Sequence, residues 1–184
     1  MPESQVRAPV AKRFHHAALE VRDMDKSIAF YREVFGMRLT ERHTAGEVEA
    51  IPVELAFLRF GDCHHDIVLA NNPNKTYRDR EPEDDVLGPV GIHHFAFEYA
   101  DREAWEIQLH RLREMNIEIV RGPVVHSEWD KRGDGSWGEN ESFYVLDPDN
   151  HRVELFCDMA TVDKDGAYIS PDGKKIEGPT AAEI

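Results

Sequence analysis

The sequence runs Phe14-His15-His16-Ala17-Ala18-Leu19-Glu20-Val21 near its start and Ile92-His93-His94-Phe95-Ala96-Phe97-Glu98-Tyr99 near its middle. Both stretches open with an apolar residue and two adjacent histidines, and both carry Ala and Glu at matching places. The offset is 78 residues, and it continues from Asp23 to Asp101 and from Met37 to Met115. A register kept through a strand and the helix that follows predicts two copies of one structural unit.

The first copy, about residues 12–70, predicts a strand, a helix and three strands. Phe14–Val21 is the first strand, and Asp23 stands where a helix N-cap belongs. The helix then shows one apolar face and stops at Gly36. The three later strands are predicted at Met37–Arg42, Glu54–Phe60 and Cys63–Ala70.

The second copy, about residues 90–158, repeats this order. Its first strand is Ile92–Tyr99, its helix follows Asp101, and its last strands are expected near 117–120, 142–146 and 153–156. A linker at about 71–89, rich in Asn, Pro and charge, joins the copies. After about residue 159 we expect a C-terminal arm.

These patterns predict an α+β fold in which two βαβββ modules form one cupped mixed sheet with the helices outside. A chain of 184 residues is the usual size of one domain, so we expect a single domain over 1–184. A ligand site is then expected inside the cup.

Charge and composition exclude several functions. A net charge of −14 disfavours nucleic acids and anionic membranes as partners, because both are negatively charged. No apolar run is long enough to span a membrane, and the first ten residues have no apolar core of a signal peptide. We therefore expect a soluble, cytoplasmic protein. Cys63 and Cys157 cannot form a disulfide framework, and we expect both to be buried thiols.

Strand alternation selects three candidate metal ligands. In the second copy the aromatic residues share the face that must pack on the helix, which leaves His94 on the cavity face. His16 follows by the repeat, and Glu154 has the same inward parity in the last strand. Two histidines and one carboxylate form an iron site with open positions. The competing interpretation is that each histidine is an ordinary hydrogen-bonded core or surface residue.

The residues at the end of the second copy carry a family resemblance. The stretch Leu146-Asp147-Pro148-Asp149-Asn150-His151-Arg152-Val153-Glu154 resembles the signature of the vicinal oxygen chelate superfamily, which includes glyoxalases, fosfomycin-resistance thiol transferases and type I extradiol dioxygenases. The resemblance extends over about residues 12–158 and implies the same three ligands, His16, His94 and Glu154.

Two further positions point to the dioxygenases among these relatives. Aligning the copies makes Val68 the first-copy equivalent of Glu154. Glyoxalases and related epimerases carry a ligating Glu or Gln at that position. The stretch His64-His65-Asp66-Ile67-Val68-Leu69-Ala70 resembles an extradiol dioxygenase segment whose second histidine acts on substrate and oxygen. The resemblance gives that role to His65.

The remaining catalytic candidates come from the same resemblance. Tyr144, ten residues before Glu154, matches the active-site tyrosine of these enzymes. Gly122-Pro123-Val124-Val125-His126 is similar to a Gly-Pro-x-x-His segment, which makes His126 a substrate-binding candidate. The implied reaction is extradiol cleavage of a catechol by O₂ at Fe(II), with Mn(II) as the other possible metal.

Several alternatives stay open at this stage. Strict alternation would direct His64 rather than His65 to the cavity, unless the strand start is irregular. His126 precedes Tyr144 by 18 residues, about twice the family spacing, because of the loop from Trp129 to Gly138, and could be an exposed loop histidine.

Two other functions also remain. A metal-dependent thiol transferase of the fosfomycin-resistance type uses the same ligands, although it is expected to carry threonine where this chain has Ala18. A metal-free drug-binding module on the same fold is the other. Many such dioxygenases have a second domain, which we do not find in this sequence. We therefore expect this chain to complete its architecture as a homo-oligomer.

Overall fold

A computed structural model describes residues 11–78, 91–136 and 138–176. The chain divides into two compact units after Arg78, inside the predicted linker. Most of that linker, the end of the C-terminal arm and most of the N-terminal arm lie outside the described residues.

The first unit holds β1 (Ala17–Glu20), α1 (Met24–Phe35), β2 (Arg38–His43), β3 (Glu54–Arg59) and β4 (Ile67–Asn71). Its four-stranded mixed sheet has the order β1-β4-β3-β2, in which β1 and β4 run parallel. The predicted caps are confirmed, because Asp23 accepts a hydrogen bond from Lys26 N at 3.0 Å and Gly36 takes a left-handed conformation.

The second unit repeats the plan with β5 (Phe95–Glu98), α2 (Arg102–Glu114), β6 (Arg121–His126), β7 (Asn140–Leu146) and β8 (Arg152–Cys157). Its sheet order, β5-β8-β7-β6, is the counterpart of the first. The 78-residue offset is confirmed, since β5 and α2 begin at the positions that it predicts from β1 and α1. The α+β class and the two βαβββ modules are thus confirmed, with one four-stranded sheet in each module.

Each helix covers one face of its own sheet and leaves the other face for a site. In module one, α1 packs on β3 and β4. In module two, α2 packs on β8, where Trp105 Nε1 donates to the Leu155 carbonyl at 2.9 Å and its ring contacts Phe143. Burying a large apolar side chain contributes about 1.5–3 kcal/mol, so this contact stabilises module two.

Four expectations need correction. The strands predicted at Phe14–Val21 and Ile92–Tyr99 are shorter, Ala17–Glu20 and Phe95–Glu98, so the paired histidines directly precede them. The strand expected near 117–120 lies instead at Arg121–His126, where it pairs with β7. The strand expected from Cys63 begins only at Ile67. Cys63 is half-buried rather than buried, although Cys157 is buried and both thiols are free.

Part of the C-terminal arm forms a small antiparallel sheet. Its strands are β9 (Thr161–Val162), β10 (Tyr168–Ile169) and β11 (Lys175–Ile176), with β10 in the middle. The arm is joined to module two by a hydrogen bond from Ala160 N to the Gly138 carbonyl at 3.1 Å. Among the described helices, none is long and apolar enough to cross a membrane.

Candidate metal and substrate site

The turn between β7 and β8 fixes the register of the candidate ligand Glu154. Asp147 Oδ1 accepts hydrogen bonds from Asp149 N at 2.9 Å and His151 N at 2.8 Å, and Asn150 takes a left-handed conformation. The two strands leave this turn paired so that Tyr144 lies opposite Glu154. The signature stretch therefore acts first as a turn that sets strand register.

Strand pairing identifies the positions in module one that correspond to this pair. Ala96 and Tyr144 flank Glu154 in the second sheet, whereas Ala18 and Phe57 flank Val68 in the first. Val68 thus occupies the position of Glu154, as the sequence alignment expects. Module one presents no ligating side chain there.

His94 and Glu154 form a metal-compatible pair on the open face of module two. His94 Nε2 lies 3.0 Å from Glu154 Oε2, and Glu154 is only 7% exposed. Two donor atoms at about 2.1 Å from one ion, at right angles, would be about 3 Å apart. Burial of a carboxylate is costly without a cation or hydrogen-bond donor beside it. This pair therefore fits two positions of a two-histidine, one-carboxylate centre.

The neighbouring histidine and an arginine fix the proton on His94. Arg152 Nη1, which can only donate, lies 3.4 Å from His93 Nε2. His93 in its neutral form then carries its proton on Nδ1, 2.7 Å from His94 Nδ1. This arrangement leaves the His94 proton on Nε2, directed at Glu154. Binding of a metal to that nitrogen must release or move this proton.

Tyr144 and His126 extend the same face. Tyr144 lies edge-on to His94 with ring centroids 5.7 Å apart, and its hydroxyl is 3.2 Å from His126 Nε2. Burial raises the pKa of Tyr144, so the hydroxyl is protonated at neutral pH. The Arg121 guanidinium lies 5.6 Å from the centre of the Tyr144 ring. The structure thus places Tyr144 beside both His126 and His94.

Module one contains a separate group of imidazoles. Donor nitrogens of His15, His16 and His65 all lie within 4.8 Å of one another, which is close enough to hold one metal ion. The His16 and His65 rings are 4.4 Å apart, and the His65 ring also contacts Phe57 at 5.2 Å. Burial, and then the neighbouring histidines, lower the pKa of His65. A neutral imidazole can accept a proton or bind a metal.

The His64 side chain contacts a carboxylate on β2. Its Nε2 lies 3.2 Å from Glu41 Oε2, and Glu41 also pairs with His43. Strict alternation fails here because residues 61–66 form bends before β4 begins, with Asp66 accepting from Phe60 N at 2.8 Å. The irregular strand start that the His65 assignment requires is therefore present.

The structure also reveals a residue that sequence reasoning missed. Asp134 lies in the loop from Trp129 to Gly138, and its Oδ2 is 2.6 Å from His126 Nδ1. The loop returns to β6 through hydrogen bonds from Asp134 N to Val125 O and from Gly135 N to Ser127 O, each 3.0 Å. An eight-residue separation in an irregular loop gave no periodic signal for this contact.

Comparison with known families identifies the chain by its sequence. Residues 13–155 match the model of the Glyoxalase/Bleomycin resistance protein/Dioxygenase superfamily. A catechol-2,3-dioxygenase of Bacillus subtilis is 27% identical over 84% of this chain, which spans only 46% of that protein. A probable lactoylglutathione lyase of Vibrio parahaemolyticus is 31% identical over 78% of this chain and 88% of its own length.

Two further comparisons concern resistance proteins and fold. The glutathione transferase FosA of Serratia marcescens is 28% identical, and the match covers 77% of each chain. The crystal structure of lactoylglutathione lyase from Agrobacterium tumefaciens superposes with a TM-score of 0.53 at 22% identity, covering 80% of this chain and 94% of that one. This structural likeness supports the two-module fold.

Proposed function

This chain belongs to the Glyoxalase/Bleomycin resistance protein/Dioxygenase superfamily, and we propose that it is an extradiol dioxygenase that cleaves a catechol-type aromatic diol with O₂. The superfamily joins dioxygenases, fosfomycin-resistance enzymes and glyoxalases among the relatives of this chain. The proposal selects one of these three reactions.

The observation that carries the proposal is the pairing of Val68 with Ala18 where Glu154 pairs with Ala96. With an apolar residue at the repeated position, the ligand set is limited to two histidines and one carboxylate. Such a set leaves coordination positions for a bidentate diol and for O₂. A glyoxalase-type site with a fourth protein ligand would leave fewer.

We assign His16, His94 and Glu154 as the metal ligands, with Fe(II) as the proposed ion. When bound, the ion would hold the diol oxygens and favour their ionised form, since a cation stabilises adjacent negative charge. The assignment of His16 rests on the repeat that equates it with His94.

The other side chains have distinct proposed roles. Tyr144 binds a diol oxygen through its hydroxyl, and His126, which lies 3.2 Å from that hydroxyl, orients it. His65, neutral because of its lowered pKa, accepts the proton that the diol loses and returns it later in the reaction. The Phe57 ring packs against His65 with the ring centroids 5.2 Å apart.

Anaerobic purification with Fe(II), followed by oxygen-electrode measurements with simple and aryl-substituted catechols, tests the proposal. We expect one O₂ to be consumed per catechol. The ring-cleaved product is conjugated, so we expect it to be yellow with a pH-sensitive absorbance. Glu154→Ala should lose this activity, while Glu114→Ala, which removes an exposed carboxylate at the end of α2, should keep it.

Thiol-transferase activity is the result that would contradict the dioxygenase proposal. The match to FosA covers a larger share of that relative than the match to the dioxygenase does. Addition of glutathione to fosfomycin with Mn(II), without O₂ uptake across the catechol panel, would overturn the dioxygenase assignment in favour of the transferase. Methylglyoxal with glutathione serves as the matching assay for lyase activity.

A further inference from the structure

The loop from Trp129 to Gly138 delivers a carboxylate to the substrate face of module two. It folds back on β6 so closely that a Cβ atom at Gly133 would lie 2.1 Å from the Ser127 carbonyl. Ser127 Oγ donates to Glu139 at 2.6 Å and accepts from Asp130 N at 2.8 Å, which holds the start of the loop. Asp134 is thereby held on the backbone of β6 beside His126.

The contacts form a chain from Asp134 through His126 to Tyr144. Asp134 Oδ2 lies 2.6 Å from His126 Nδ1, and His126 Nε2 lies 3.2 Å from the Tyr144 hydroxyl. Hydrogen bonds from Ser136 and His126 lower the pKa of Asp134 to about 2. Its carboxylate can therefore only accept hydrogen bonds at neutral pH.

Proton placement follows from that carboxylate. His126 must carry a proton on Nδ1 to donate to Asp134, so Nε2 of the neutral ring accepts. The single proton of Tyr144 then goes to one of the two acceptors beside it, His126 Nε2 or the Glu154 carboxylate, and His126 donates nothing to the Tyr144 oxygen. Its oxygen consequently presents only lone pairs toward a ligand on the open face.

We propose that Asp134 is a positioning residue that, through His126 and Tyr144, makes this site select a ligand carrying a hydroxyl donor. The inference rests on the proposed function and deepens it, because a diol that keeps one proton has such a donor. A fully ionised phosphonate has none. The length of the loop, which separates His126 from Tyr144, is explained as the means of placing Asp134.

The first test reads the proton on His126 directly. Two-bond ¹H–¹⁵N correlation spectra of the full, metal-free chain with ¹⁵N-labelled histidine distinguish Nδ1–H from Nε2–H, and a His126→Asn spectrum assigns the signal. We expect the Nδ1–H form in the wild type and a shift toward Nε2–H in Asp134→Ala. Asp130→Ala, which removes a carboxylate of the same loop that pairs with Arg132, is the matched control and should leave His126 unchanged.

The second test reads ligand selection without turnover. Titration with phenol and with its methyl ether, anisole, should show that the wild type prefers phenol by about tenfold, the value of one hydrogen bond. Asp134→Ala should lose the preference, while Asp134→Asn, which retains an acceptor oxygen, should keep most of it.

An unchanged His126 tautomer in Asp134→Ala, or an undiminished phenol preference in that variant, overturns the inference. Absence of O₂ uptake with catechols in a protein that passes both tests contradicts the proposed function alone. The two failures are therefore distinguishable.

Discussion

At the residue scale, the two adjacent histidines before β4 differ in what they contact. His65 packs against His16, whereas His64 Nε2 faces Glu41 on β2, and both rings contact Phe57. Their neighbouring positions in sequence make them a matched pair for substitution. Only His65 has the surroundings expected of a proton acceptor beside the proposed metal.

We expect His65→Phe to lower kcat by about 10²- to 10⁴-fold, the usual contribution of a general acid or base. His64→Phe should lower kcat by less than tenfold, because it removes the contact of its Nδ1 with His65 but retains the His65 imidazole itself. Steady-state kinetics with a catechol, together with metal analysis of both variants, check this. Normal turnover by His65→Phe would return that residue to the role of a core histidine.

At the element scale, β6 depends on Gly122. The pairing with β7 shifts register between Arg121 and Val124, and Gly122 has a φ of 90° there. A Cβ atom at this position would lie 2.7 Å from the Ser142 carbonyl. We expect Gly122→Ala to destabilise the protein by about 1–3 kcal/mol, measured by urea unfolding. Gly61→Ala is the control, because no atom lies within 4 Å of the added methyl group, and it should be nearly neutral.

The helices and the repeat could be predicted from sequence because their signals are local. Asp23 and Asp101 cap their helices, and the offset transfers one module onto the other. The position of β6 could not be predicted so well, because its Gly-Pro start resembles a loop and only pairing with β7 makes it a strand.

The residues of the candidate site also differ in whether local sequence patterns could predict them. Glu154 lies inside the regular strand β8, where alternation applies, whereas His94 directly precedes β5 and is placed by the repeat. His65 required knowledge of the bends before β4, and Asp134 required the path of a loop. Long-range pairing and irregular backbone therefore account for what the sequence left open.

At the scale of the whole molecule, there are two candidate ligand sets for a metal ion. One is the proposed set of His16, His94 and Glu154, drawn from both modules. The other is the group of His15, His16 and His65, contained in module one. Both include His16, so its substitution alone cannot separate them.

Substitution of the unshared residues separates the two sets. After anaerobic reconstitution with Fe(II), we expect His94→Ala and Glu154→Ala to lose stoichiometric iron, while His15→Ala keeps it. A ligand bound only by the folded protein at roughly 100 times its Kd stabilises that protein by about 2.7 kcal/mol. Iron should therefore raise the Tm of the wild type and of His15→Ala, measured by calorimetry, and leave the Tm of Glu154→Ala unchanged. If Glu154→Ala retains iron and His15→Ala loses it, the ion belongs to the three imidazoles of module one, and His65 is a metal ligand rather than a proton acceptor.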